Sequence, residues 1–128
     1  MQRIITISRR PDITFYPDGR IDITARIARA INLQHGDVID IAINGTERYI
    51  YVRQRAGQVN GRHFATVYAT KNGSHNFRCY SRQLCQSMLS TATDSHRPLR
   101  IPAGQVIQHE QYGTMMALIY KFNIQPKL

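Results

Sequence analysis

Apolar and polar positions alternate along most of the chain, the period-two pattern of strands buried on one face. Arg3–Ser8 places Ile5 and Ile7 on one side. Ile13–Tyr16 is a second extended piece, ended by the turn residues Pro17-Asp18-Gly19. Arg20–Thr24 resumes the alternation, with Ile21 and Ile23 inward and Asp22 outward. Ala25–Ile31 breaks it. Its alanines favour helix, Ile27 and Ile31 lie one turn apart, and Thr24 stands where a cap belongs. Val38–Ile43 alternates again, with Ile39, Ile41 and Ile43 on one side. Asn44-Gly45 then predicts a hairpin into Tyr49–Arg53. Beyond the polar connection Gly57–Gly61, strands are predicted over Phe64–Thr70, Asn76–Tyr80, Leu99–Ile101 and Met115–Phe122. A second helix is predicted over Ser81–Leu89, capped by Ser81, with Leu84 and Met88 one turn apart. Pro102 sets the short Leu99–Ile101 strand near an edge or bend.

The order strand, strand, helix, strand, strand occurs twice. Asp18-Gly19 leads into the first set and Asn72-Gly73 into the second, and Ile27 and Ile31 correspond to Leu84 and Met88. The repeat lies in pattern, not in residue identity. It predicts a single α+β, mainly β domain made of two pseudo-repeated ββαββ halves, about 1–56 and 62–125. Neither half could bury its apolar face alone. Intertwined, the two could close a small barrel and remove most strand edges.

Charge adds a partner class. The 128 residues carry 17 Lys+Arg against 8 Asp+Glu, a formal net charge of +9. Fourteen of the basic residues are Arg and three are Lys. Such a field attracts polyanions, and the planar guanidinium suits phosphates and guanine edges. No apolar run reaches the roughly 20 residues of a membrane span, and the first residues do not read as a secretory signal. Two cysteines, Cys79 and Cys85, suit a reduced, cytoplasmic setting.

The stretch Asp18-Gly19-Arg20-Ile21-Asp22-Ile23-Thr24, followed by Ile27, Ile31, Leu33, Gly36-Asp37 and Ile39-Asp40-Ile41, resembles the AbrB-type DNA-binding domain. That domain also occurs in MazE-like antitoxins and, duplicated, in MraZ. The resemblance covers roughly Arg3 to Arg53. It implies a swapped-hairpin or double-psi β-barrel in which the second half supplies the partner unit, and a small transcriptional regulator that binds double-stranded DNA. By position it points to Arg20 and Arg29 as DNA contacts. The sequence departs from the family pattern at three places: Thr24 replaces a helix-starting Pro, Ala28 an Arg, and Ile13 an upstream Arg. Arg9, Arg10 and Arg26 lie close enough in sequence to compensate. Arg26 and Arg29 sit three apart on one helix face, where a pair could straddle a phosphate.

Catalytic and metal chemistry is not predicted. Cys79 and Cys85 lack zinc spacing and a second pair, and read as a strand and a helix-core cysteine. His35, His63, His75, His96 and His109 are scattered through polar stretches. Asp94-Ser95-His96 holds triad residue types as chain neighbours, which does not make a triad. A pyruvoyl-type decarboxylase, also a double-psi barrel, would need a self-cleaving Gly-Ser bond. The helix-leading turn reads Gly19-Arg20, and only Gly73-Ser74 offers the pair. Arg53 and Arg55 read as edge-strand charges. Tyr49-Ile50-Tyr51-Val52 reads as cross-strand aromatic packing, or as a pairing surface in a protein-binding or scaffold module. The expectation is therefore a non-enzymatic DNA-binding protein without cofactor or metal, possible as a homo-oligomer.

Overall fold

The computed structural model describes residues 11–58, 65–70, 75–92 and 94–119. The predicted Arg3–Ser8 strand, together with Arg9 and Arg10, lies outside the described residues. The order of elements is β1 (Ile13–Phe15), β2 (Arg20–Ile23), α1 (Ala25–Ala30), β3 (Val38–Asn44), β4 (Glu47–Gln54), a 3-10 turn at Ala56–Gln58, β5 (Ala65–Thr66), β6 (Tyr68–Ala69), β7 (Phe77–Tyr80), α2 (Arg82–Leu89), β8 (Leu99–Ile101), β9 (Ala103–His109) and β10 (Gly113–Leu118). The fold is α+β and mainly β. Two antiparallel five-stranded sheets run β6-β7-β2-β1-β8 and β5-β3-β4-β10-β9.

Every seam of the first sheet is a local hairpin or a cross-half pairing. β1 and β2 form a hairpin, and so do β6 and β7. The joining ladder is β2 with β7, Ile21 opposite Cys79 at its centre. β8 adds to β1, and in the second sheet β5 adds to β3 and β10 to β4. In each sheet a hairpin of the first half is thus flanked on both sides by strands of the second.

Two bent segments join the sheets. Val67 separates β5 from β6; its N–H donates to Asp37 O at 2.8 Å and its carbonyl accepts from Gly36 N at 2.8 Å. Pro102, which has no N–H to give a ladder, separates β8 from β9. There Asp12 spans the bend. Its N–H donates to Ile101 O at 2.9 Å, and its buried Oδ2 accepts from Ala103 N at 2.7 Å. Among the described residues neither sheet closes into a barrel. The expected closed barrel is corrected to two open sheets sharing two corners.

One core fills the space between them. Phe15, Ile13, Ile21, Ile23, Ile27, Ile31, Ile50, Met88 and Ile101 are each almost wholly buried, and both halves contribute. Each such side chain contributes about 1.5–3 kcal/mol by leaving water. Ile43 departs from its predicted inward place. It is 57% exposed, because β3 runs past the core edge after Ile39. Phe64–Thr70 is not one strand but the bent β5–β6 pair, and the last strand is Gly113–Leu118 within the described residues.

The helix starts differ. Ser81 caps α2 as expected, its Oγ accepting from Leu84 N at 3.1 Å. Thr24 occupies the N-cap of α1 but makes no side-chain cap bond; its hydroxyl donates to Asp12 O. Asn76 Oδ1, from the other half, accepts from Ala25 N at 2.9 Å instead. In α2 the buried face is Cys85, Met88 and Leu89, with Leu84 only partly covered.

Candidate nucleic-acid interface

The β2–β7 ladder places the site. In β2 the inward residues are Ile21 and Ile23, so Arg20 and Asp22 face out. In β7 Phe77 and Cys79 face in, so Arg78 and Tyr80 face out. Register then sets Arg20 opposite Tyr80 and Asp22 opposite Arg78. The row through Asp22 continues on both sides. Tyr68 of β6 lies opposite Arg78, Thr14 of β1 opposite Asp22, and exposed Arg100 of β8 opposite Thr14. The outward face of the first sheet therefore carries Arg20, Arg78 and Arg100 with Tyr68 and Tyr80, against one carboxylate, Asp22.

Local contacts fix these side chains. Arg78 Nε donates to Asp22 Oδ1 at 2.7 Å, and Arg20 Nε lies 3.6 Å from Asp22 Oδ2. The Arg20 guanidinium sits over the Tyr16 ring, 3.9 Å from its centre. Both guanidinium pKa values are raised: that of Arg20 first by its bond to Tyr16 and then by Asp22, that of Arg78 by its bond to Asp22. The Tyr68 and Tyr80 rings lie nearly parallel, centres 6.5 Å apart at 22°. Both remain accessible, Tyr80 at 55% and Tyr68 at 36%.

The turn into β2 positions Arg20. Gly19 has φ +98°, which L side chains rarely adopt, and a Cβ there would stand 3.1 Å from Arg82 Cγ. Its carbonyl accepts from Ser81 N at 2.8 Å, so Arg20 begins its strand beside the start of α2, where Arg82 is exposed.

The predicted arginines of the described residues are split between the two ends of the β2–β7 ladder. Arg20 lies at the end of the β2–β7 ladder where α2 begins, whereas α1 leaves from the other end. Four ladder pairs put those ends about 10 Å apart. On α1, Arg26 lies 3.8 Å from the buried Asp12 carboxylate. Arg29 is exposed in the last turn, where a cation also favours the helix dipole. Arg9 and Arg10 fall outside the described residues. The sequence reading missed Arg78, Arg100, Tyr68 and Tyr80. The signal was present in the alternation, since each takes an outward position of a strand. What was missing was the pairing of β7 and β8 with the first half.

Other candidate chemistry resolves into structure. Arg55 is a clamp. Its Nη1 donates to Asp37 Oδ2 at 2.8 Å and to Asn32 O at 2.6 Å. Asp37, almost fully buried, also accepts from Gln34 N at 2.7 Å and Ala56 N at 2.9 Å. Arg53 pairs with Asp40 at 3.6 Å. His35 Nδ1 accepts from Ala69 N, tying its loop to β6, and His109 Nδ1 accepts from Gln111 N and Tyr112 N, holding the β9–β10 turn. Cys79 and Cys85 are buried free thiols. Among the described residues no three His, Cys, Asp or Glu side chains are grouped to hold a metal ion, and no helix is long and apolar enough to cross a membrane. No family model, curated protein or solved structure matches the chain.

Proposed function

We propose that the chain binds DNA through the outward face of its first sheet, as a small regulator that acts by occupying DNA. The observation that carries this reading is the row of Arg20, Arg78 and Arg100 with two accessible tyrosines, opposed among the described residues by Asp22 alone, on a protein of net charge +9. The arginines contact phosphates and fix the register, while sequence preference comes from the deformability of the nucleic acid. Arg29, with Arg26, offers a second contact point about one ladder length away. The finer architecture belongs to the same reading. The interleaving of the two halves and the Gly19-Arg20 turn at the start of β2 support a duplicated AbrB-like unit.

Binding to a random-sequence duplex, measured by filter retention between about 50 and 200 mM salt, should weaken steeply as counterions are no longer released with profit. Arg100→Ala should lower the slope of log affinity against log salt by about one, because it removes one phosphate contact. A flat salt response, or a triple Arg20→Ala/Arg78→Ala/Arg100→Ala variant that binds like the parent, overturns the proposal.

A protein-binding module is the second reading, and the second sheet favours it. Ala42, Ile43, Tyr49, Ile107, Tyr112 and Met115, with Asn44 and His109, line a mostly apolar groove of about 260 Å³ beside the edge strand β9. β9, Ala103–His109, contains no Asp, Glu, Lys or Arg. Its occupant on this reading is a second copy of the chain, since two neutral edges can pair while the basic faces stay apart.

A further inference from the structure

We infer that the nucleic acid on this face is single-stranded, with Tyr80 and its neighbour Tyr68 seating an unpaired base between Arg78 and Arg20. The inference rests on the DNA-binding reading above and narrows its substrate.

Three observations carry it. The first is shape. The face spans five strands, and at about 4.8 Å per strand spacing it is roughly 19 Å across. A major groove about 12 Å wide admits a helix or a two-stranded ribbon, not a sheet of that width. A single strand can lie across it and turn its bases inward.

The second is aromatic geometry. Tyr80 projects from the sheet in register with Arg20, and Tyr68 is offset beside it with nearly parallel rings. Together they present a two-ring platform flanked by guanidiniums. Stacking of this kind needs a free π-face, which a base paired inside a duplex does not offer. The buried Tyr51 packs instead on Tyr112, beside the second sheet.

The third is charge. Arg78 and Arg20 border the platform, giving phosphates a path beside the stacked bases, and Arg100 stands two strands beyond Asp22, past the buried Thr14.

The chain has seven tyrosines and no tryptophan, so tyrosine emission reports directly on stacking. The experiment titrates the full chain with a dT12 single strand and with a mixed-sequence duplex of equal length, at one salt concentration. The expected result is quenching by dT12 and affinity at least tenfold above that for the duplex. Tyr80→Leu should weaken dT12 binding roughly five- to thirtyfold and weaken duplex binding by less, and Tyr80→Phe should keep both. Tyr68→Leu provides a second variant if Tyr80→Leu melts early. Equal affinity for the two forms, or dT12 binding unmoved by either leucine variant, overturns the single-strand seat while DNA binding stands. Absence of binding to both forms overturns the DNA reading itself, and this inference with it.

Discussion

Cys79 and Cys85 show how burial decides what a residue can do. Cys79 faces inward from β7 and Cys85 inward from α2, where its Sγ donates to Arg20 O at 3.4 Å. Burial pushes the Cys79 thiol up to about 12, helped by the adjacent Cys85, and pushes Cys85 up to about 11. At pH 7 a thiol titrating near 11 rather than 9.0 carries about a hundredfold less thiolate. Both should therefore react with a thiol-specific disulfide reagent at least that much more slowly in the folded chain than in urea. Rapid native labelling would show the core to be open. The same shifts fix a sign in pH. Below about pH 9 both thiols are protonated in folded and unfolded chains alike, and their full contribution to stability is present. Above it the unfolded chain ionises first, so that contribution is lost as pH rises towards about 11 to 12. Urea midpoints should fall over that window, and fall less in a Cys79→Ala/Cys85→Ala variant. Asp37 teaches a related lesson. The sequence marks it only as part of a Gly-Asp turn, yet it closes a buried node with Gln34, Ala56 and Arg55. Arg55, read as an edge charge, holds that node to the carbonyl end of α1.

Elements with one buried face were legible, and elements without one were not. β2, β7 and β8 alternate cleanly and appear with the predicted bounds to within a residue. β9 was missed because it has no core-facing series. After Ala103 its residues are half-buried or exposed, and its glutamines carry no period. Its partner is nonetheless clear, as Ile107 sits opposite Met115 and His109 opposite Gly113. An edge of this kind, uncharged and seven residues long, is a template for another strand. Sedimentation velocity should find the chain as a dimer at high concentration. Val106→Lys, which puts a charge on the exposed edge, should return it to a monomer. A parent chain that sediments as a monomer at every concentration removes the second-copy reading. The candidate face was legible in part for the same reason. Arg20 was found because it follows a recognisable turn. Arg78 and Arg100 sit on equally clear strands, but only their pairing across the halves assigns them to the same surface as Arg20.

At the scale of the whole molecule, the pairing pattern predicts how the chain must fold. Within the first half, β1 pairs with β2 and β3 with β4, which are local contacts. The seams that complete both sheets all cross to the second half: β2 to β7, β1 to β8, β3 to β5 and β4 to β10. Even α1 receives its capping oxygen from Asn76. A fragment ending at Gln58 would keep two hairpins and a six-residue helix, with Phe15, Ile21, Ile23 and Ile50 stripped of half their neighbours. Isolated hairpins are marginal in water, and so are helices that short. The repeat in the sequence is thus a repeat of pattern without independence, because each half is the other's missing sheet. Residues 1–58 alone should show no cooperative thermal transition by circular dichroism, and neither should 59–128. Mixed in equal amounts, the two should recover a single transition, because the crossing seams need no covalent link to form. A cooperative melt from either fragment alone would mean that its apolar face finds cover within its own half, and the interleaved core would then not be what holds the fold.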